Sequence, residues 1–294
     1  MTDRPPFTER VRRAAKDLAP AEAKVARVLT SSGLVAGLDT VASLADRAGV
    51  SGPTVMRFAA KLGFESYQDL QREIRAELEE RQTSPLALFG QSAHAGDAFD
   101  RDRGVLAGIV AASLEKLSRE DVDRAATLIA DARRTVFTTG GRFTGLLADM
   151  LYLHLDQLRG DVHRLQDGLQ SREDQLLRIN RRSLLLVFDV RRYEARTVEI
   201  AAQARARGAT IIAFTDPWGS PAASHADIVL SADVRWTSMF DSMVPMSALC
   251  EMVIAAVVDK LGAAGRRRMA ELEGLRVGYE WTARRPMEDG SSDV

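Results

Sequence analysis

"TVASLADRAGVSGPTVMRFAAKLGF", residues 40–64, sets two short apolar-periodic runs around the turn Ala48-Gly49-Val50-Ser51. The first run predicts a helix that buries Val41, Leu44, Ala45 and Ala48. Gly49 supplies the tight turn, because a residue without Cβ takes up positive φ cheaply. Val50 fills the angle between the helices, Ser51 is placed to cap the second, and Pro53 stands in its first turn, where a missing N–H loses no bond. The second helix turns Val55, Phe58, Ala59 and Leu62 inward and gathers Thr54, Arg57 and Lys61 on the other face.

That face suits entry into a DNA major groove. Ser51, Gly52 and Thr54 make a slim polar start, a hydroxyl can meet a phosphate or base edge, and Arg57 and Lys61 follow along one side. No acid occurs between Asp46 and Glu65, so the local field is positive. The alternative is an ordinary αα-hairpin with a solvated face. One such module contacts few bases, so double-stranded operator DNA would be read by a dimer with half-sites about one turn (~34 Å) apart.

Around this stretch, residues 1–81 read as short helices only. "AEAKVARVLTSSG" places Val25, Val28 and Leu29 on one face behind Pro20, and "SYQDLQREIRAELEER" has Ser66 and Asp69 at a helix start and an apolar stripe of Leu70, Ile74 and Leu78. The charged face of that last helix is expected to meet solvent. Residues 82–103 lose periodicity and collect Gly, Pro, Ser and Asp, as a linker does.

From 104 to 264 helix and strand alternate. β-rich runs fall at "RTVFTT", "DVHRLQ", "SLLLVFDV", "ATIIAFT" and "DIVLSA", with helical runs between them and a final apolar helix in "MVPMSALCEMVIAAVVDKLG". This order predicts a five-stranded parallel sheet covered on both faces. "LLLVF" is apolar without alternation, as a central parallel strand should be. "SRED" at 118–121 and 171–174 marks two helix starts, and the charged tail 265–294 reads as partly frayed.

The chain has 294 residues, 46% hydrophobic and 28% charged, which is globular composition of two-domain length. A net charge of −1 gives no global basic field, although a small basic helix is easily diluted in a larger neutral chain. The single cysteine, Cys250, lies in an apolar run and reads as core. There is no secretory h-region and no run long enough to span a bilayer, so a cytoplasmic protein without membrane contact is expected.

In a parallel sheet, ligands bind beyond the carboxyl ends of the strands. After "TVFTT" stand Gly140, Gly141, Arg142, Phe143 and Thr144; after "LLLVF" stand Asp189, Arg191, Arg192 and Tyr193; after "TIIAF" stand Thr215 and Asp216. Backbone amides at a helix start, the Thr144 hydroxyl and three arginines favour a small anion. The plainer reading is a set of strand-to-helix turns with surface charges.

The chain resembles the RpiR/MurR-type bacterial transcriptional regulators, in which a helix-turn-helix precedes a sugar-isomerase (SIS) domain. The resemblance covers about residues 8–262 and rests on "LAPAEAKVARVL", on "LADRAGVSGPTVMRFAAKLGFESYQDLQREIR" with Arg57-Phe58 and Lys61-Leu62-Gly63-Phe64, and on "RGATIIAFTDPWGSPAASHADIVL". It implies an all-α helix-turn-helix domain joined to an α/β SIS domain, operator binding as a dimer or tetramer, and a sugar phosphate or related metabolite in the SIS domain. Two loops depart from the family pattern. Its first ligand loop reads G-x-G-x-S, where this chain has Gly140-Gly141-Arg142-Phe143-Thr144. Its second carries S-x-S-G-x-T, where this chain has "FDVRRYEART". Either the arginines hold a different anion, or Arg142 pairs with Asp189 and closes the site.

An isomerase needs a general base beside the reacting carbon. His94, His154, His163 and His225 lack a partnering carboxylate pattern, and Glu251 stands alone in an apolar helix. No metal spacing and no nucleophile elbow occur. The expectation is therefore a non-enzymatic regulator without metal or cofactor, with a SIS-fold sugar-phosphate isomerase as the alternative.

Overall fold

The computed structural model describes residues 5–84, 86, 98–165 and 171–276. The N-terminal part is helical: α1 (Phe7–Ala14), α2 (Pro20–Ser31), α3 (Val41–Ala48), α4 (Gly52–Lys61) and α5 (Tyr67–Gln82). Gly49 ends α3 at φ 60°, and its N–H returns to Ala45 and Asp46 carbonyls, which makes the turn into α4. Ser66 and Asp69 form a reciprocal capping box at the start of α5. Phe7, Val25, Leu29, Leu44, Val55, Phe58, Leu70 and Ile74 make a core that is separate from those of the sheet.

Ser51 occupies the N-cap position of α4, but its side chain bonds no helix amide. Its hydroxyl pairs instead with the Thr54 hydroxyl at 3.0 Å. The charged face of α5 also departs from expectation: Glu77 and Arg81 are 5% and 6% exposed. Arg81 donates to the carbonyl of Trp218, so this end of α5 is packed on the second half of the chain.

The second half begins with α6 (Ala98–Glu115) and α7 (Arg119–Ala130). Helix α6 therefore starts inside the stretch read as linker; the apolar Phe99 and Val105 sit in its first turns, where turn residues had masked the period. The rest of that stretch, with His94, lies almost wholly outside the described residues. Strands β1 (Thr135–Gly140), β2 (Val162–Arg164), β3 (Ser183–Phe188), β4 (Thr210–Thr215) and β5 (Ile228–Ser231) form one parallel sheet in the order β2-β1-β3-β4-β5. Helices α8 (Thr144–Leu158), α9 (Arg172–Leu176), α10 (Ala195–Ala206) and α11 (Val244–Arg276) complete the layers.

Helices α7, α8 and α11 cover one face of the sheet through Ile129, Leu151, Leu155, Leu249 and Val253, with Cys250 buried among them. Burial pushes the Cys250 thiol up to about 12, as befits core. Helix α10 covers the other face through Ile200, Ala201 and Ala204. Helix α11 bends at Gly262 (φ 48°) and continues to Arg276, so the first part of the tail expected to fray is helical. Residues 277–294 lie outside the described residues.

Candidate functional site

The strand order reverses direction between β1 and β3: β1 connects outward to β2, and β3 connects the other way to β4. Their carboxyl ends open a crevice of about 280 Å³, lined by Arg142, Phe143, Thr144, Asp189, Arg191 and Arg192 together with Glu194, Phe240 and Asp241. Such a switch point is where open α/β sheets hold ligands.

The loop after β1 is built tightly. A Cβ on Gly140 would lie 2.8 Å from the Thr144 carbonyl carbon, and one on Gly141 would run into the Glu194 carboxylate. Buried Thr144 accepts from the Gly141 N–H at 2.8 Å and donates to the Phe188 carbonyl at 2.9 Å, tying the β1 loop to the end of β3. Its hydroxyl is thereby occupied. The Arg142 N–H, at the helix start expected to hold an anion, donates to Glu194 Oε1 at 2.5 Å. The anion there belongs to the chain.

The same holds one strand over. Arg191 Nε donates to Asp241 Oδ1 at 2.7 Å, and Arg192 Nη2 reaches Asp241 Oδ2 at 2.6 Å. Arg191 and Asp241 have side chains 5% and 3% exposed, whereas Arg192 remains 35% exposed. Arg192 stands at φ 66°, a left-handed turn that a non-glycine residue rarely adopts, and this turn brings consecutive arginines onto one carboxylate. Asp189 does not pair with Arg142. It accepts from Ser220 Oγ and from the Glu194 N–H at 3.2 Å. Burial raises its carboxyl to about 7 against these bonds, with Asp216 and Glu194 adding like charge.

Tyr193, Thr215 and Asp216 turn away from this crevice. Thr215 and Asp216 line a second cavity of about 280 Å³ between the two halves, beside Thr8, Arg12 and Arg81. Tyr193 Oη donates to Asp216 Oδ1 at 2.8 Å. Burial raises Asp216 to about 6, opposed by the bonds from Tyr193 and the Arg191 N–H. The sequence pattern missed Glu194, Asp241 and Ser220. Glu194 is two residues beyond the paired arginines and is legible as a counter-charge; Asp241 lies in an irregular stretch with no periodic signal.

At the N-terminal face, Ser51, Arg57 and Lys61 are exposed, Gly52 is partly so, and Thr54 is buried. The Thr54 hydroxyl accepts from Arg57 Nη2 at 3.0 Å, so it orients the arginine. Lys61 is held by Glu22 at 2.9 Å, whereas Arg57 forms no ion pair among the described residues. Met56, 39% exposed beside Arg57, adds an apolar contact the charge pattern did not suggest.

Of the three described histidines, none lines the strand-end crevice. His154 bonds its own helix at the Met150 carbonyl, and His163 bonds Asp161 on the edge strand. No helix among the described residues is long and apolar enough to cross a membrane.

A helix-turn-helix with an open cationic helix, followed by a parallel sheet with a switch-point crevice, defines a two-part architecture of reader and sensor folds. Comparison with known families agrees on both parts: residues 7–81 match the helix-turn-helix domain of the rpiR family, and residues 128–256 match the SIS domain. The chain belongs to the RpiR type. It is 28% identical over 273 residues to the bifunctional protein glk of Burkholderia mallei, a match over 90% of this chain and 41% of that protein. It thus spans about two-fifths of the length of that relative. It is 27% identical over 263 residues to the HTH-type transcriptional regulator HexR of Pseudomonas aeruginosa, covering 86% of each. In fold it is similar to the Vibrio vulnificus NanR protein complexed with ManNAc-6P, at a TM-score of 0.53 and 13% identity over 93% of this chain and 99% of that one.

Proposed function

We propose that this chain is a sequence-specific DNA-binding transcriptional regulator whose SIS half senses a small anionic metabolite, a sugar phosphate or related compound, and self-associates in the cytoplasm. The observation that carries the reading is α4: Arg57 is exposed, oriented by Thr54 and in no ion pair among the described residues, on the helix that a helix-turn-helix places in the major groove. Similarity to HexR, a transcriptional regulator by name, supports it.

The effector reading rests on the crevice between β1 and β3, where Arg142, Arg191 and Arg192 converge. Glu194 and Asp241 act there as internal counter-ions, which an incoming anion must displace or bridge. NanR, which shares the fold, is complexed with ManNAc-6P, and this supports a sugar phosphate as the first class to screen. Self-association is supported by exposed Phe143, Leu146 and Leu153, 59%, 68% and 57% exposed, at helical spacing along α8. A second copy of the chain seated on this stripe would supply the two-fold reader that paired half-sites require.

One observation favours a different reading. Asp189 lines the crevice with its carboxyl raised to about 7, the range suited to proton transfer at neutral pH. On that ground a sugar-phosphate isomerase remains the second reading, and ketose and aldose phosphates are its test substrates. The discriminating experiment is selection of bound duplexes from a random DNA library by the full chain. Enrichment of a two-fold motif supports the regulator. Failure to enrich any motif, with isomerisation of a sugar phosphate abolished by Asp189→Asn, would establish the enzyme instead.

A further inference from the structure

Two charged side chains at the end of α5 leave solvent together. Glu77 and Arg81 have side chains 4% and 7% exposed. Arg81 Nη2 donates to Glu77 Oε1 at 2.5 Å, to Thr8 Oγ1 at 2.6 Å and, across the chain, to the carbonyl of Trp218. Glu77 accepts from the Phe7 N–H at 2.5 Å and from the Thr8 hydroxyl at 2.9 Å. Phe7 in turn packs on Phe64, just beyond the end of α4, with ring centroids 5.9 Å apart. Arg81 therefore joins α1 and α5 around one guanidinium, and Phe7 links them to Phe64 beyond α4.

On the other side, the acceptor of Arg81 belongs to a turn held by the strand-end loop. Asp216 Oδ1 accepts from the N–H groups of Trp218 and Gly219, both at 3.1 Å, and from Tyr193 Oη at 2.8 Å. Its other oxygen accepts from the Arg191 N–H, and the Arg191 guanidinium lies 5.5 Å from the centroid of the Trp218 ring. Residues 191–193 thus hold the 216–219 turn from the crevice side while Arg81 holds it from the helical side. A cavity of about 280 Å³ opens beside this contact, lined by α1, α2 and residues 215–224, and next to it the Thr8 methyl packs closely on Gly219. Other polar ties cross the junction nearer the surface: Arg12 bonds the Val229 carbonyl at 3.3 Å and Ser231 Oγ at 3.0 Å, Glu80 faces Arg235 at 4.0 Å, and Lys16 faces Glu120 at 3.9 Å.

We infer that Arg81 is the positioning residue that couples the two halves: by clasping the Trp218 turn it ties the orientation of the helix-turn-helix to the conformation of residues 191–193. The inference rests on the regulator reading for its purpose, but its physical content needs neither DNA nor effector. A ligand that moves the Arg191-Arg192 backbone changes the bonds at Asp216, shifts the Trp218 carbonyl and so loads or releases Arg81. The coupling is a property of the clasp, and it disappears when the clasp is cut.

Amide hydrogen exchange on the full chain tests it, in wild type, Tyr193→Phe, Arg81→Leu and the double variant. Tyr193→Phe removes the bond to Asp216, which lies within the SIS half. The coupling predicts that it speeds exchange in residues 5–14 by tenfold or more, and that the same substitution adds no further change there once Arg81 is Leu. Arg81→Lys, which retains the charge but ends short of the Nη2 position that makes all three bonds, is expected to restore only part of the coupling, and it replaces Arg81→Leu if that variant does not fold. The proposal is overturned if the effect of Tyr193→Phe stays within residues 189–220, or if it is equally large with and without Arg81. Loss of the regulator reading through absent DNA binding would leave these exchange rates as predicted, so the two failures are separable.

Discussion

The molecule carries arginines at two candidate recognition sites and treats them in opposite ways. On α4, Arg57 projects from the helix with a neutral hydroxyl, Thr54, as its orienting partner. In the strand-end crevice, Arg191 and Arg192 are both engaged by Asp241, and the amide of Arg142 is engaged by Glu194. An uncompensated surface cation suits a polyanion such as DNA, which supplies many phosphates and releases counter-ions as it binds. A compensated, partly buried set is stable without its ligand, and a ligand binds it by exchanging one carboxylate for another anion. DNA binding at the first site would follow salt; anion binding at the second would depend on how readily Glu194 and Asp241 give way.

The largest effect should come from cutting the compensated site. Asp241→Asn removes the partner of buried Arg191, and breaking a buried pair from one side is expected to destabilise the fold by roughly 3 kcal/mol. Urea denaturation measures this; a loss below about 1 kcal/mol would show that the pair is solvated. Arg57→Ala should leave folding stability within about 0.5 kcal/mol and weaken binding to a selected duplex by about 1–3 kcal/mol, read by fluorescence anisotropy. Equal weakening on selected and scrambled duplexes would make Arg57 a phosphate contact instead of a base reader.

Asp189 makes the stability of the crevice depend on pH. Its folded pKa, about 7, lies above the ordinary 3.8, so the folded chain holds this proton more tightly than the unfolded one. The resulting stabilisation is full below about 3.8 and fades as pH rises through about 7. Between pH 5.5 and 7.5 the wild type should lose on the order of 1–2 kcal/mol that Asp189→Asn does not lose. Parallel pH profiles for the two proteins would mean that Asp189 is already ionised at the lower pH. Asp216, raised to about 6, contributes with the same sign and persists in that variant.

The smallest effect concerns Lys61, the one cation of the α4 face that is tethered. Glu22→Gln keeps an acceptor for the Ala19 N–H and removes the carboxylate that faces Lys61, leaving its bond to the Asp17 carbonyl. Stability should change by less than about 1 kcal/mol, and the logarithmic salt slope of DNA binding should steepen by about 0.9. An unchanged slope would place Lys61 outside the DNA interface.

Local chemistry made much of this fold readable. Gly49 needed its positive φ, Ser66, Ser118 and Ser171 accept from the amides three residues on, and "SLLLVF" is buried along its whole length. Those features depend on neighbours in sequence. What escaped depends on neighbours in space. Thr54 sits on the polar side of α4 by period yet is buried, because Ser51 and Arg57 fold over its hydroxyl. Glu77 and Arg81 belong to a charged stripe that reads as solvated, and distant segments cover them: Phe7 and Thr8 meet Glu77, and the Trp218 carbonyl meets Arg81 from 137 residues away. Asp241 is 50 residues from Arg191, in a segment without pattern, and no spacing rule joins them. The strand-end arginines were visible as charges; their carboxylate partners became visible only when the sheet brought the loops together.

The most direct test of the central claim is the affinity of the full chain for a library-selected duplex and its scrambled control, titrated across a salt series. Binding should be selective, fall steeply as salt rises and lose its selectivity in Arg57→Ala. Equal affinity for both duplexes at every salt concentration, from a folded protein, would contradict it.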